Sequence, residues 1–194
     1  MSHRTEELKK LSGLSHLIRE LRYHEFSRQG IGIILVSIFG YFADPYPSFV
    51  FQFELAKIII ILGLIIRMYA SGFVLKNKEL STTGPYAYVR HPLYTGNILL
   101  LTGMAIINGQ VWASLIALSF FWFYYPTAIE YEDRKLKALF PETWEKWADK
   151  TLALTISIGK MHPLELNRWS WRKSLINNYE PVIVIYVLIW LSIL

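Results

Sequence analysis

Cysteine is absent from this chain. That excludes a disulfide framework, a thiol nucleophile, a Cys-based metal site and a prenylation signal. Internal repeats and low-complexity tracts are also lacking, so solenoid and fibrous architectures drop out. No secretory signal peptide is expected, because Lys9, Lys10, Arg19 and Arg22 interrupt the N-terminal region. Charge is sparse: 18% of the 194 residues are charged, against 53% hydrophobic and 15% aromatic, with mean hydropathy +0.30. Such a chain is too apolar for an ordinary soluble domain and points to a membrane protein. The net charge of +5 is carried beside apolar runs. Anionic lipid headgroups are therefore the expected partner, and nucleic acid is not. The length suits one domain, or one membrane bundle with a small polar lobe.

The apolar runs are numerous but short. Leu8, Leu11, Leu14, Ile18 and Leu21 recur at spacings of three and four among charged residues. This pattern predicts an amphipathic helix within residues 1–29, lying on a membrane or docking a partner. A first apolar segment starts near Gly30 and ends at Asp44, Pro45 and Pro47; a second spans about 52–75, with Arg67 expected to snorkel to the interface. After a polar loop, NILLLTGMAIIN and VWASLIALSFFWFYY are separated by Gly109-Gln110, as in a tight helical hairpin. Pro126 is expected to kink or end the second arm. Residues 30–129 thus hold four membrane helices with a loop at 76–97, 130–180 is polar, and 181–194 is a last short span. The fold class is all-α, a polytopic membrane protein of about five transmembrane helices. Lys and Arg crowd the N-terminal segment, the 76–92 loop and 130–180. The positive-inside rule then puts the N-terminus in the cytoplasm, the C-terminus on the opposite side, and the two polar regions on one face.

The densest polar and aromatic cluster lies between the oily segments: TTGPYAYVRHPLYTGN, residues 82–97. Gly84-Pro85 makes a turn. Pro92 suits the first turn of the next helix with His91 near its N-cap, where unpaired N–H groups favour an anionic ligand group. Tyr86, Tyr88 and Tyr94 offer flat surfaces and hydroxyls for a heterocycle. The plainer reading is an interfacial aromatic belt with snorkelled cations. Glu132, likewise, reads either as a ligand-binding carboxylate or as part of a solvated face with Asp133, Arg134 and Lys135.

TTGPYAYVRHPLYTG resembles the membrane methyltransferase family that includes isoprenylcysteine carboxyl methyltransferase and the phospholipid methyltransferases. The likeness covers roughly residues 70–155: Arg90-His91-Pro92-Leu93-Tyr94-Thr95-Gly96 first, then two apolar runs, Glu132-Asp133-Arg134-Lys135-Leu136, Phe140-Pro141, Trp144 and Trp147. The resemblance implies S-adenosylmethionine as cofactor. It puts Tyr86, His91, Pro92, Leu93 and Tyr94 on cofactor-contacting positions, with Lys78, Glu79, Leu80 and Ser81 in a segment lining the pocket and Glu132 as the acidic contact. It implies no metal.

Two departures concern the acceptor. Where the carboxyl methyltransferases have a substrate-holding Arg, this chain has Ala128, and their Val-Pro after the aromatics is Thr151-Leu152 here. Arg134 or Arg67 are the candidates to replace that Arg. The function expected from the resemblance is methylation of the carboxylate of a prenylated cysteine, as a small molecule or peptide, or of a similar lipid-linked acceptor. Phospholipid amine methylation is the alternative. An NADPH-dependent sterol-type reductase is disfavoured because Lys76, Lys78 and Arg90 are few cations for its phosphates, and a non-catalytic scaffold is the remaining class.

Overall fold

A computed structural model describes residues 4–44, 50–74, 77–157, 169–178 and 180–194. The predicted stops at Pro45 and Pro47, the cation Lys76 and residues 158–168 of the polar 130–180 region lie outside the described residues. The described chain is helical, with α1 Gly13–Tyr23, α2 Glu25–Tyr41, α3 Val50–Ser71, α4 Pro92–Asn108, α5 Val111–Leu139, α6 Pro141–Ala148 and α7 Glu180–Ile193. A single 3-10 turn covers Gly84–Ala87 and a short π-type helix covers Arg172–Asn177. The extended contribution is one isolated parallel bridge, Val89 to Leu152.

Helix starts and stops follow local chemistry. The His24 ring accepts the Ser27 N–H and caps α2, so α2 begins before the apolar run instead of at Gly30. Pro92 opens α4 at its first position, where no N–H is needed. Gly109 closes α4 with φ 76°, a left-handed conformation that suits glycine, and α5 starts two residues later. The hairpin is therefore as tight as its sequence suggests.

Of the two outcomes expected at Pro126, it does not end α5: the helix continues through it for 29 residues in all. Proline removes one N–H donor and crowds the preceding turn. Here other donors reach the nearby carbonyls. Arg22 Nε donates to Phe123 O at 2.9 Å, and Thr127 Oγ1 lies 3.0 Å from both Tyr124 O and Arg22 O. Docking of α1 along α5 therefore supports the proline turn.

Helices α3 and α4 form the closest pair in the bundle. The approach rests on small residues. A Cβ on Gly96 would meet Arg67 Cγ at 2.5 Å and Gly63 O at 2.9 Å. One on Gly63 would meet Gly96 O at 2.9 Å. Small residues facing each other let two backbones touch, as helices in lipid require. Ile60, Met104, Ile107 and Phe39 fill the core beside this contact. The outward faces carry Ile34, Ile58, Ile61, Leu118, Trp122 and Leu188, all exposed. An apolar exterior of this kind fits a lipid surround.

Among the described residues, α5 alone is long and apolar enough to cross a bilayer, and α7 is a shorter apolar helix. At about 1.5 Å per residue, α5 extends about 43 Å, past a hydrocarbon core of about 30 Å. Its first nineteen residues are the apolar ones, and from Glu130 onward it is a polar extension.

Arg67 does not snorkel. It is buried, and its guanidinium grips Glu180 of α7 with Nη2 to Oε1 at 2.7 Å and Nε to Oε2 at 3.1 Å. Asn97 Oδ1 also accepts from it, and Leu93 O accepts at 3.5 Å. Arg67 therefore ties α3, α4 and α7 together.

Two substitutions test this architecture. Gly96→Ala must push α3 from α4 and should cost about 1–3 kcal/mol, read as a lower midpoint in thermal unfolding of the detergent-purified protein. Glu180→Ala leaves a buried guanidinium without its carboxylate and should cost about 3–5 kcal/mol in the same assay.

Candidate functional site

The polar extension of α5 meets the start of α4. Glu132 and Asp133 are adjacent, so a helix rotation of about 100° sends them to different partners. Tyr94 donates its hydroxyl to Glu132 Oε1 at 2.7 Å. His91 presents Nδ1 to Glu132 Oε2 at 3.3 Å and Nε2 to Asp133 Oδ1 at 3.0 Å. Arg90 completes the set, with Nη2 on Asp133 Oδ2 at 3.2 Å. The His91 and Tyr94 rings stack with centroids 5.5 Å apart. Two stretches some forty residues apart in sequence thus form one hydrogen-bonded cluster. Glu132 keeps 41% of its side chain exposed while His91 keeps 4%, so Glu132 is the more accessible of the two.

A short extended segment covers the other side of α4's start. Arg90 N donates to Leu152 O and His91 N to Ala153 O; Thr95 Oγ1 donates to Leu154 O at 2.8 Å. Arg90 Nη1 reaches Ala148 O at 3.1 Å and Thr151 O at 2.8 Å. This docking corrects the expectation of an open helix N-terminus. Pro92 has no N–H, and Tyr94 and Thr95 give theirs to His91 O. In α4's first turn, Leu93 is the remaining backbone donor.

Tyr86, Leu80 and Leu93 belong to a second group, a small aromatic core with Phe73, Trp144 and Trp147. Trp147 Nε1 donates to Tyr86 O at 2.8 Å, which fixes the 3-10 turn against α6. Trp144 Nε1 is buried with no hydrogen-bond partner, so this wall retains a donor for a ligand. Pro92 is fully buried between the two groups. Ser81 caps Phe73 O at 2.9 Å. Lys78 and Glu79 are exposed, and Glu79 pairs with Lys173 instead of entering the cluster. Of the ten candidate residues, the structure gathers Tyr86, His91, Pro92, Leu93, Tyr94 and Glu132, with Leu80 and Ser81 alongside. Lys78 and Glu79 stand apart. Arg134 turns away from the cluster to Glu7 and Glu130.

Sequence reasoning missed Arg28. It is 9% exposed near the start of α2 and lies 4.8 Å from the Tyr94 ring centroid. The hydroxyls of Tyr94 and Tyr125 and the charge of Glu132 all face it. The signal available was an Arg two residues before a glycine-led apolar run, which reads as an interfacial anchor.

The electrostatics favour the protonated form of His91. Burial pushes His91 toward the neutral form, but hydrogen bonds to Asp133 and Glu132 and their charges outweigh it and raise the pKa above 6.5. A native pKa above the unfolded value stabilises fully below pH 6.5 and is lost as pH rises through the native pKa. The His91 ring resonances in an NMR titration should therefore have a midpoint above 6.5, and Asp133→Asn should lower it.

Comparison with known proteins follows the same stretch of chain. The phospholipid methyltransferase family model matches residues 46–143, just over half the chain. The cobalt-zinc-cadmium resistance protein CzcN of Cupriavidus metallidurans is 37% identical over 86 residues, 44% of this chain and 38% of that protein. The nickel-cobalt-cadmium resistance protein NccN of Alcaligenes xylosoxydans xylosoxydans is 37% identical over 86 residues, 44% of this chain and 39% of its own length. The similarity thus spans about two fifths of these curated relatives. No solved structure matches significantly. With its matched segment running from before α3 to α6 and enclosing both halves of the polar cluster, the chain belongs to the phospholipid methyltransferase family.

Proposed function

We propose that this protein is an integral membrane methyltransferase that uses S-adenosylmethionine and methylates a lipid-linked acceptor. The observation that carries the reading is the joining of Tyr94, His91 and Glu132 into one cluster on the polar side of an apolar bundle. Two requirements meet there. A cationic, water-soluble methyl donor needs carboxylates at an aqueous face, and an acceptor dissolved in lipid needs apolar walls next to them.

The residues present fit such a donor. Glu132 offers a part-exposed carboxylate to an ammonium or a ribose hydroxyl. The aromatic core around Tyr86 offers flat surfaces, and the unpaired Trp144 Nε1 offers a hydrogen bond. When bound, the cofactor supplies a methyl group already activated as a sulfonium. The chain's own task is then placement and the exclusion of water. Arg90 and Asp133 hold the His91 ring, and His91 with Tyr94 holds Glu132 at a fixed angle. The 152–154 segment closes one side of the cluster. No strong base is required for an acceptor that is already an anion, whereas an ammonium acceptor must first lose a proton.

For the acceptor, the carboxylate of a prenylated cysteine is the first reading. Phospholipid amine methylation is the second, favoured by the family to which the chain belongs. In this reading α2, α3, α4, α5 and α7 are the five membrane segments, with the N-terminus in the cytoplasm and the C-terminus opposite; the basic residues beside the apolar runs are what favour that orientation. The exposed stripe of Leu14, Leu17 and Leu21 on α1 suits the membrane surface beside them.

Calorimetric titration of the purified protein with S-adenosylhomocysteine should show saturable binding, and Glu132→Ala should weaken it at least tenfold, about 1.4 kcal/mol. No heat of binding by the intact protein removes the reading. Thin-layer separation of radiolabelled products from a prenylcysteine analogue and from phosphatidylethanolamine then distinguishes the two acceptors.

A further inference from the structure

Arg28 is a cation buried at the seam between the polar cluster and the apolar bundle. It is 9% exposed. Taking a guanidinium out of water to that extent is costly unless an anion compensates it. The local carboxylates do not fill that role directly. Glu132 gives one oxygen to Tyr94 and the other to His91, while Asp133 is divided between His91 and Arg90. What Arg28 touches instead is the face of Tyr94, at 4.8 Å, and the hydroxyl side of two tyrosines. No ion pair within 4.0 Å joins it to a carboxylate among the described residues, whereas the other buried arginine of the bundle, Arg67, has Glu180 at 2.7 Å. The two buried arginines of the helical core are therefore differently provided for. Arg67 is a structural tie, whereas Arg28 has the Tyr94 ring and the charge of Glu132 beyond ion-pair distance in place of a contacting carboxylate.

Its position says which anion. Tyr94 is one turn into α4 from His91, and Tyr125 is two turns back from Glu132 along α5. Arg28 faces both, and α2 becomes continuously apolar three residues later at Ile31. Arg28 thus lies on the lipid side of the Glu132–His91 cluster, at the depth where a headgroup enters. Tyr125, Ala128 and Glu132 share one face of α5 by their spacing, and Ala128 contributes only a methyl group between the other two.

We infer that Arg28 binds the oxyanion of the methyl acceptor, a lipid phosphate or a lipid-linked carboxylate, and so selects acidic or zwitterionic acceptors over neutral ones. A planar guanidinium matches either group with two parallel N–H bonds. With Glu132 on one side of Tyr94 and Arg28 over its ring, the cleft offers opposite charges a short distance apart. The acceptor's oxyanion takes the lipid side and the cationic donor takes the aqueous side. The identity of the anion as a methyl acceptor rests on the methyltransferase reading; the anion site itself does not.

The test uses the full-length protein in detergent micelles, titrated calorimetrically with four probes. Dihexanoyl phosphatidate carries a phosphate and N-acetyl-S-farnesylcysteine a carboxylate; dihexanoylglycerol and the farnesylcysteine methyl ester are their neutral counterparts. The native protein should bind at least one oxyanion probe tenfold more tightly than its neutral counterpart. Arg28→Gln should abolish that preference, leave the neutral probes unchanged, and leave S-adenosylhomocysteine binding within twofold. Arg28→Lys should retain part of the preference, because the charge survives while the fork is lost, and it serves as the reading where the glutamine variant does not fold. Which probe loses affinity tells phosphate from carboxylate. The inference is overturned if neither oxyanion probe is preferred by the native protein. It is also overturned if the preference survives in Arg28→Gln, or if that variant loses S-adenosylhomocysteine instead. Arg28-dependent oxyanion binding without any S-adenosylhomocysteine binding by the native protein would retain the anion site and defeat the methyltransferase reading.

Discussion

The polar end of this protein depends on two neighbouring carboxylates held beyond the apolar stretch of one helix. Glu132 and Asp133 receive Tyr94, His91 and Arg90, and those three stand at the start of α4. Remove the carboxylates and the imidazole has no partner on either ring nitrogen, while Tyr94 and Arg90 lose their orientation. The cost of burying His91 is offset because both its nitrogens face a carboxylate, which favours the protonated ring. The cluster is therefore mutually required, and such networks are rigid when complete and disruptive when one member goes.

The bundle beneath supplies the rigidity. Gly63 and Gly96 bring α3 and α4 into backbone contact, and Arg67 locks the same pair to α7 through Glu180. Gly96 is four residues from Pro92 and two from Tyr94, so the contact that sets the interhelical distance also sets where the site residues emerge. Packing of small residues replaces the hydrophobic drive that lipid-facing helices lack. The Arg67 side chain reaches Leu93 O within α4's first turns as well. Bundle packing and site geometry are thus one constraint.

Much of this was legible in the sequence, and the failures have physical causes. Pro92 at a helix start, Gly109 at a helix end and the pairing of the Arg90–Gly96 stretch with Glu132 all follow from local turn chemistry or from a dense motif. That α5 continues past Pro126 was not legible, because a sequence does not show that Arg22 and Thr127 will reach the carbonyls of its turn. Arg67 misled for a related reason: an Arg late in an apolar run snorkels unless a carboxylate from elsewhere reaches it, and Glu180 is 113 residues away. The docking of 152–154 onto α4's start is a non-local pairing of backbone groups, which leaves no mark on side-chain periodicity. Lys78 and Glu79 were drawn into the candidate site by their place in a segment. The chain instead turns them outward, with Asn77 in a left-handed conformation before them and Lys173 drawing Glu79 away.

The length of α5 converts these separate facts into a mechanism for meeting two phases. A helix that ended at Pro126 would stop near the interface and leave Glu132 on a loop, free to move by several ångströms. Continuing instead for 13 residues past the proline, it carries the carboxylates rigidly from an apolar stretch onto a polar one. Tyr125 and Glu132 then lie on one face of one rod, with Arg28 and Tyr94 filling the interval between them. Because α1 supports the proline turn through Arg22, the amphipathic N-terminal helix is part of that rod's mounting. The segment that carries the exposed leucines Leu14, Leu17 and Leu21 is therefore coupled mechanically to the helix that carries the polar cluster.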